Sequence, residues 1–490
     1  MRQLAVSMAL VVAVAGAAPA QQAATQPTEK VLVLPLAAAA QDSATSIALA
    51  DAVRGRIAQL ARYRVAVVPK PKLCEALAAS GFPCDGLLDE QQARQLARFL
   101  QVEAYVTGLL QRAGSTLTAH VRVLDIGSSG MAASFTVTNG NPGTTQALAE
   151  AIAQRLNTII RASEQVRECT QSRQRGQFQR ALSAAQKALA VDPTSAGAHL
   201  CVATVYEAQR MPVDSIIAAS QRALKGDSLN ATAWENIARG FQHKADTLSA
   251  IDAFIHQLQG EPRNTAKRLG IAQLLRQMRQ YQRAVDLLEE GLIVARSDPQ
   301  LIELKTRICI DGSLYRCAVA GMLVQVDRDS ALLRDTTFLR SAIGAAQQAS
   351  DTQALLTFSG AAIRNYANDA SFWKARGAAW ELAGNPDSAV AAYVKSLAIN
   401  PSDMNSTLLV AKALVDGANY DTVAVRNCRG DTVCVRPIRD RFVAQFDAAK
   451  SYVDRAVGSA DTAALVTAAA LMRTAGEKLA RAGASDAAYR

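Results

Sequence analysis

The sequence predicts an α+β molecule in two parts. A mixed-sheet α/β domain is expected over residues 30–161, and an all-α solenoid of paired helices over residues 162–457. Three observations predict this. Apolar β-type runs alternate with helical stretches in the amino-terminal third. Beyond residue 162, small and aromatic residues recur with a period of about 34 residues. Half the 490 residues are hydrophobic but only 5% are aromatic, which suits close helix packing better than a β-sandwich.

In chain order, residues 1–20 (MRQLAVSMALVVAVAGAAPA) place Arg2 before an apolar run that ends in Ala18-Pro19-Ala20. This reads as a secretory signal peptide, and the run is short for a bilayer span. No Cys follows the small residues, so a lipid anchor is not expected. Residues 21–29 are a polar linker. The mature chain is expected to be exported to the periplasm, with no membrane span.

A buried strand is expected at 30–36, closed by Pro35, then a helix at 42–61 with Ile47, Val53, Ile57 and Leu60 inward. A second strand at 64–68 precedes a short helix carrying Leu73 and Leu77 up to Gly81. Asp89 and Gln92 have capping-box spacing before a helix whose core face is Leu96, Phe99 and Leu100. Strands at 103–110, 116–126 and 131–138 follow, with Gly-Ser-Ser-Gly at 127–130 as a turn. A helix at 144–160 leads into the repeats. Within this stretch Ala93, Arg94, Leu96, Ala97, Val102, Ala104, Val106 and Gly108, then Leu124-Asp125-Ile126 and Gly130, resemble the amino-terminal domain of TolB and its relatives. The resemblance covers about residues 30–138 and implies a periplasmic, protein-binding domain without catalysis. The β-propeller repeats of that family do not follow here.

The clearest repeat is 370–403, ASFWKARGAAWELAGNPDSAVAAYVKSLAINPSD. Trp373, Gly377 and Trp380 share a face of its first helix; Gly384-Asn385-Pro386 break it. Ala389, Tyr393 and Leu397 mark the second helix, and Pro401 stops it. Small Gly377 and Ala389 should let the helix backbones approach. This unit resembles a tetratricopeptide repeat. Trp234, Ala238, Phe241, Ala250, Phe254 and Pro262 form another copy. Gly176 to Pro193 gives half of an earlier one, and His199 to Asp227 the next, with one extra residue near Pro212. Ile271 to Leu288 marks a fourth. Degenerate copies lie around 308–326 and 338–361, and an interrupted one begins at Met404. A helix at 460–482, within a capping segment 458–490, is expected to cover the end of the solenoid.

Residues 419–441 read as a disulfide-closed β-hairpin inserted in the last repeat, turning at Gly430-Asp431, with a second helix resuming over 442–457. Arg426, Arg429, Arg436, Arg439 and Arg441 against three Asp make it basic: a solvated loop, or a contact for an acidic partner surface. The eight cysteines fall into near neighbours: Cys74 with Cys84, Cys169 with Cys201, Cys309 with Cys317, and Cys428 with Cys434. Sequential pairing into four disulfides is expected. A metal is not, because no C-x-x-C occurs and no His neighbours a pair.

Formal net charge is +10, spread through the repeats, and no basic patch interleaved with aromatics points to nucleic acid. No catalytic motif or cofactor signature is found, and His120, His199, His243 and His256 are scattered. The expectation is therefore binding. Tetratricopeptide resemblance places Arg173, Gln174, Glu235, Arg239, Gln242, His243, Gln273, Arg276, Gln277, Lys374 and Glu381 on a groove for a protein or peptide. Ala378 stands where a carboxylate-clamp Asn would follow Lys374, so that specialised function is not expected. An adaptor in the cell envelope is the first reading. A structural spacer of an envelope complex is the second, and a hydrolase with an unrecognised site the third.

Overall fold

The computed structural model describes residues 29–84, 86–126, 131–139, 145–458 and 461–483. The expected signal peptide, residues 21–28 of the linker and the 127–130 turn lie outside them. The described chain forms two compact units that divide between Gly260 and Glu261.

In the first unit, strand β1 (Lys30–Val33) is parallel to both β2 (Ala66–Val67) and β3 (Ala104–Ala113). Strands β3, β4 (Thr116–Asp125) and β5 (Ala133–Asn139) make an antiparallel meander, giving the order β2-β1-β3-β4-β5. Side chains alternate across the pleat, so β1 serves two cores. Val31, Val33, Val106 and Val121 face α1 (Ser43–Leu60) and α4 (Thr145–Gln174). Leu32, Leu34 and Tyr105 face α2 (Lys70–Ala79) and α3 (Glu90–Phe99). The capping box at Asp89 and Gln92 is present in both directions. Phe99, expected in the core, is 69% exposed. The buried stripe of α3 is Ala93, Leu96, Ala97 and Leu100, and Phe99 falls beside it.

Helix α4 joins sheet to repeats without a break. Its first half, Leu148 to Ile160, packs in the sheet core; its second half, with Val166 and Cys169, packs on α5 (Phe178–Val191). The expected boundary at 161/162 falls inside this helix. Two further hairpins complete the unit: α6 (Ala196–Ala208) with α7 (Val213–Gly226), and α8 (Ala231–His243) with α9 (Thr247–Gly260).

The second unit pairs α10 (Thr265–Gln277) with α11 (Tyr281–Val294), and α12 (Pro299–Asp311) with α13 (Tyr315–Arg328). It then pairs α14 (Thr336–Gln348) with α15 (Thr352–Asn365), and α16 (Ala370–Leu382) with α17 (Pro386–Ile399). The degenerate copies are thus complete hairpins. Between paired helices the middle loop residue is left-handed: Gly176, Ala245, Arg279, Ser313, Ser350 and Gly384 all have positive φ. The loop before α7 is longer, as Pro212 suggested, and Arg210 takes that role there. Gly377 makes room for a ring rather than a backbone: a Cβ there would stand 2.3 Å from Tyr393 Cε1.

Residues 419–441 are not a β-hairpin. After α18 (Met404–Gly417) come a short helix α19 (Thr422–Asn427), a turn at Arg429 and Gly430, and the long α20 (Thr432–Val457). The alternation of valines with polar residues imitates a strand. The capping chemistry decides otherwise: Asp421 accepts from Ala424 N and Asp431 from Val433 N, each closing a helix start. Helix α20 packs on α18, and α21 (Thr462–Arg481) packs on both.

The eight cysteines stand in the four sequential pairs, and none is free among the described residues. Cys74 and Cys84 are 4.4 Å apart between Cα atoms, and Cys169 and Cys201 are 6.3 Å apart. Cys309 and Cys317 are 5.8 Å apart, and Cys428 and Cys434 are 5.6 Å apart. All four separations lie within the span of a disulfide. Cys84 ties the loop after α2 back to Cys74 within that helix, and Cys201 joins α6 to Cys169 of α4, its neighbouring first helix. Cys317, in α13, closes the turn of one hairpin onto Cys309 of α12. Cys434, in the first turn of α20, bridges to Cys428 at the end of α19, so this disulfide closes a helix–turn–helix rather than the expected β-hairpin.

Candidate binding surfaces

Four of the first helices begin with the same device. Trp234, fourth in α8, donates its indole N–H to Ser228 O at 2.9 Å; Trp373, fourth in α16, donates to Ala367 O at 2.8 Å. At the same place in α6, His199 Nε2 bonds Pro193 O at 3.1 Å, and in α10 Arg268 donates to Pro262 O at 3.4 Å. The side chain ties a first helix to the loop that delivers it. His199 and Arg268 are buried, and burial pushes the pKa of each down; the Pro193 bond opposes this for His199, and Glu290 for Arg268.

The expected groove residues divide into those committed to neighbouring repeats and those facing solvent. Arg239 is 3.6 Å from Glu207 of the preceding first helix and 3.8 Å from Glu235, and it also bonds Asn236. Glu235 accepts from Gln257. Arg276 pairs with Asp311 of α12. Lys374 reaches Asp403 of the next repeat at 3.2 Å, and Glu381 accepts from Tyr393 Oη and from Lys412 at 2.7 Å. Burial pushes Asp403 up, but bonds from Ser406 and Lys374 outweigh it and hold the carboxyl below its ordinary range. Burial, then the bond to Glu381, pushes Tyr393 upward. Gln174, Gln242, His243 and Gln277 are exposed, while Arg173 and Gln273 are half-buried.

Arg239, Arg276 and Lys374 therefore each bridge to a neighbouring first helix or to the cap before it. Arg340, absent from the expected set, does the same with Asp369, the cap of α16. For Lys374 and Arg340 the signal was the Asp before the following first helix, Asp403 and Asp369, which sequence reading treats only as a cap.

Two clefts were not foreseen. In the first unit a cleft of about 570 Å³ lies between the sheet face carrying Thr107, His120, Arg122 and Thr136 and the end of α7 at Lys225 with the following loop at Ser228. His120 is held there by Thr136 at 3.0 Å and Gln111 at 3.2 Å. In the second unit a cleft of about 710 Å³ lies where α18, α20 and α21 meet. Among the described residues no group of three or more His, Cys, Asp and Glu could hold a metal ion. None of the described helices is long and apolar enough to cross a membrane.

No family model matches the sequence, and no curated protein matches it. Similar solved structures include a tetratricopeptide repeat protein from Parabacteroides merdae, 13% identical, covering 52% of this chain and 98% of that one at a TM-score of 0.25. Pseudomonas aeruginosa pilF is 19% identical over 43% of this chain and 94% of its own, TM-score 0.24. YrrB, a TPR protein with an unusual peptide-binding site, is 15% identical over 45% and 95%, TM-score 0.21. At these values the likenesses carry nothing about activity or partner. The fold rests on the helix pairs themselves: a small mixed-sheet domain followed by a tetratricopeptide-type solenoid.

Proposed function

We propose that the protein is an exported, non-enzymatic adaptor that binds protein or peptide partners in the cell envelope. The observation that carries this reading is the run of capped helical hairpins, whose first helices present Gln242, His243 and Gln277 to solvent. Exposed amides and rings on packed helical hairpins suit recognition of an extended peptide. The sheet domain, with its resemblance to the TolB amino-terminal domain, serves as a second docking surface through its polar β4–β5 face. Export is supported by the apolar run at residues 1–20 and by four cysteine pairs at disulfide spacing. Peptide-array binding that weakens with Gln242→Ala and Gln277→Ala supports the reading, and unchanged partner capture in both variants defeats the groove.

One observation favours a spacer subunit instead. Arg239, Arg276 and Lys374 are occupied in bridges between repeats, which stiffen an array rather than greet a ligand. Under that reading Arg276→Ala lowers thermal stability and leaves association with envelope proteins intact.

A further inference from the structure

Arg426, Arg429, Arg436, Arg439 and Arg441 crowd onto α19, its turn and the start of α20, and all five are exposed. Among the described residues only Arg439 of these has an ion-pair partner, Asp440 at 3.8 Å. The segment's other carboxylates, Asp421 and Asp431, turn to backbone N–H groups as helix caps. Val423 and Val433 stand among the arginines, 62% and 75% exposed. The bridge between Cys428 and Cys434 fixes the turn that presents them. These guanidiniums contrast with Arg276 and Lys374, whose charges are already matched.

At the foot of this segment lies the 710 Å³ cleft, lined by Tyr420 and Phe442 on one side and by Lys412, Lys478 and Arg481 on others. Lys478 is spent on the carbonyls of Val415, Asp416 and Ala418, and Lys412 on Glu381 and Asp416. Arg481 is exposed and has no partner among the described residues. The Tyr420 ring lies 5.2 Å from that of Phe442, forming an aromatic wall.

We propose that α19, the start of α20 and the adjoining cleft form the docking surface for an acidic protein segment. Carboxylates of the partner pair with the free guanidiniums, and one apolar side chain enters the cleft against Tyr420 and Phe442. The cleft decides between a protein segment and a lipid surface, because a flat anionic bilayer leaves such a concavity empty. The proposal rests on the protein-binding reading and names its site.

Fluorescence anisotropy with a labelled peptide of alternating Glu and Leu tests it, against a Gln/Leu peptide of equal length. The wild-type chain should bind the acidic peptide about tenfold tighter or more, since several individually weak ion pairs act together. A variant combining Arg426→Glu, Arg429→Glu, Arg436→Glu and Arg441→Glu should lose that preference with an unchanged melting curve. Equal binding of the two peptides, or a preference that survives charge reversal, overturns the proposal. So does capture by phosphatidylglycerol vesicles without peptide binding. If Gln242→Ala and Gln277→Ala abolish partner capture while charge reversal does not, the adaptor reading stands and this surface falls.

Discussion

Trp234 and Trp373 make one and the same bond from equivalent places. Each is the fourth residue of a first helix, and each indole N–H donates to the carbonyl six residues earlier. The bond closes the inter-repeat loop onto the helix it precedes. Trp234→Phe and Trp373→Phe keep a ring and delete the donor, leaving a carbonyl to find water. Each should cost about 1 kcal/mol in chemical denaturation. Unequal losses, with one variant near zero, would show that the two positions are not equivalent.

That equivalence marks how far the sequence could be read. Trp, Gly, Ala and Pro at fixed offsets are local facts, and they place α8, α9, α16 and α17 unaided. His199 was legible as a stand-in for the aromatic, but Arg268 was not, because an Arg in that place breaks the composition while preserving the bond. The insert failed for a related reason: Gly430-Asp431 read as the turn of a hairpin, whereas in the fold Asp431 caps α20 and Asp421 caps α19. The pairing of Cys428 with Cys434 is as compatible with a helix–turn–helix as with a hairpin, so it did not arbitrate. The candidate site was legible only as positions. Which cations are spent on neighbouring repeats depends on distances across some thirty residues, as in Arg276 with Asp311, and no local pattern carries that.

His199 makes stability depend on pH. Burial lowers its pKa in the fold below the ordinary 6.5, despite the opposing Pro193 bond. As pH falls through 6.5 the unfolded chain takes up a proton before the folded one does, so stability drops with acidification in that window. Asp369 and Asp403, whose carboxyls are held below 3.8, contribute losses only at more acid pH. Urea denaturation at pH 7 and pH 5 should show a decline in the native chain and a shallower one in His199→Phe. Equal slopes would remove His199 as the cause.

The left-handed turn residues give a test free of packing. Ala245 has φ 57° and Gly384 φ 70°, both exposed in loops between paired helices. A Cβ in that region costs about 1–2 kcal/mol, partly offset by the greater freedom glycine loses on folding. Ala245→Gly should therefore stabilise by about 0.5 kcal/mol and Gly384→Ala destabilise by about 1 kcal/mol. Nothing lies within 4 Å of a Cβ built at Gly384, so any loss there is backbone strain. Thermal melts of the two variants should move in opposite directions.

Gly226 and Gly344 are both helical, yet alanine should act on them with opposite sign. At the end of α7 a Cβ on Gly226 would stand 1.8 Å from the carbonyl oxygen of Thr194, in the loop before α6. That oxygen belongs to backbone and cannot swing aside, so the loop or the helix end must move. Gly260 repeats the contact at the end of α9, with Leu229 O at 2.2 Å. Gly226→Ala should cost about 1–3 kcal/mol, the usual range for overpacking, and more if the loop resists. In α14, nothing lies within 4 Å of a Cβ on Gly344, and alanine there removes only excess freedom of the unfolded chain. Gly344→Ala should stabilise by about 0.5–1 kcal/mol. Denaturant midpoints decide it: if Gly226→Ala is as harmless as Gly344→Ala, the close approach of helix end to loop is not what fixes one hairpin against the next.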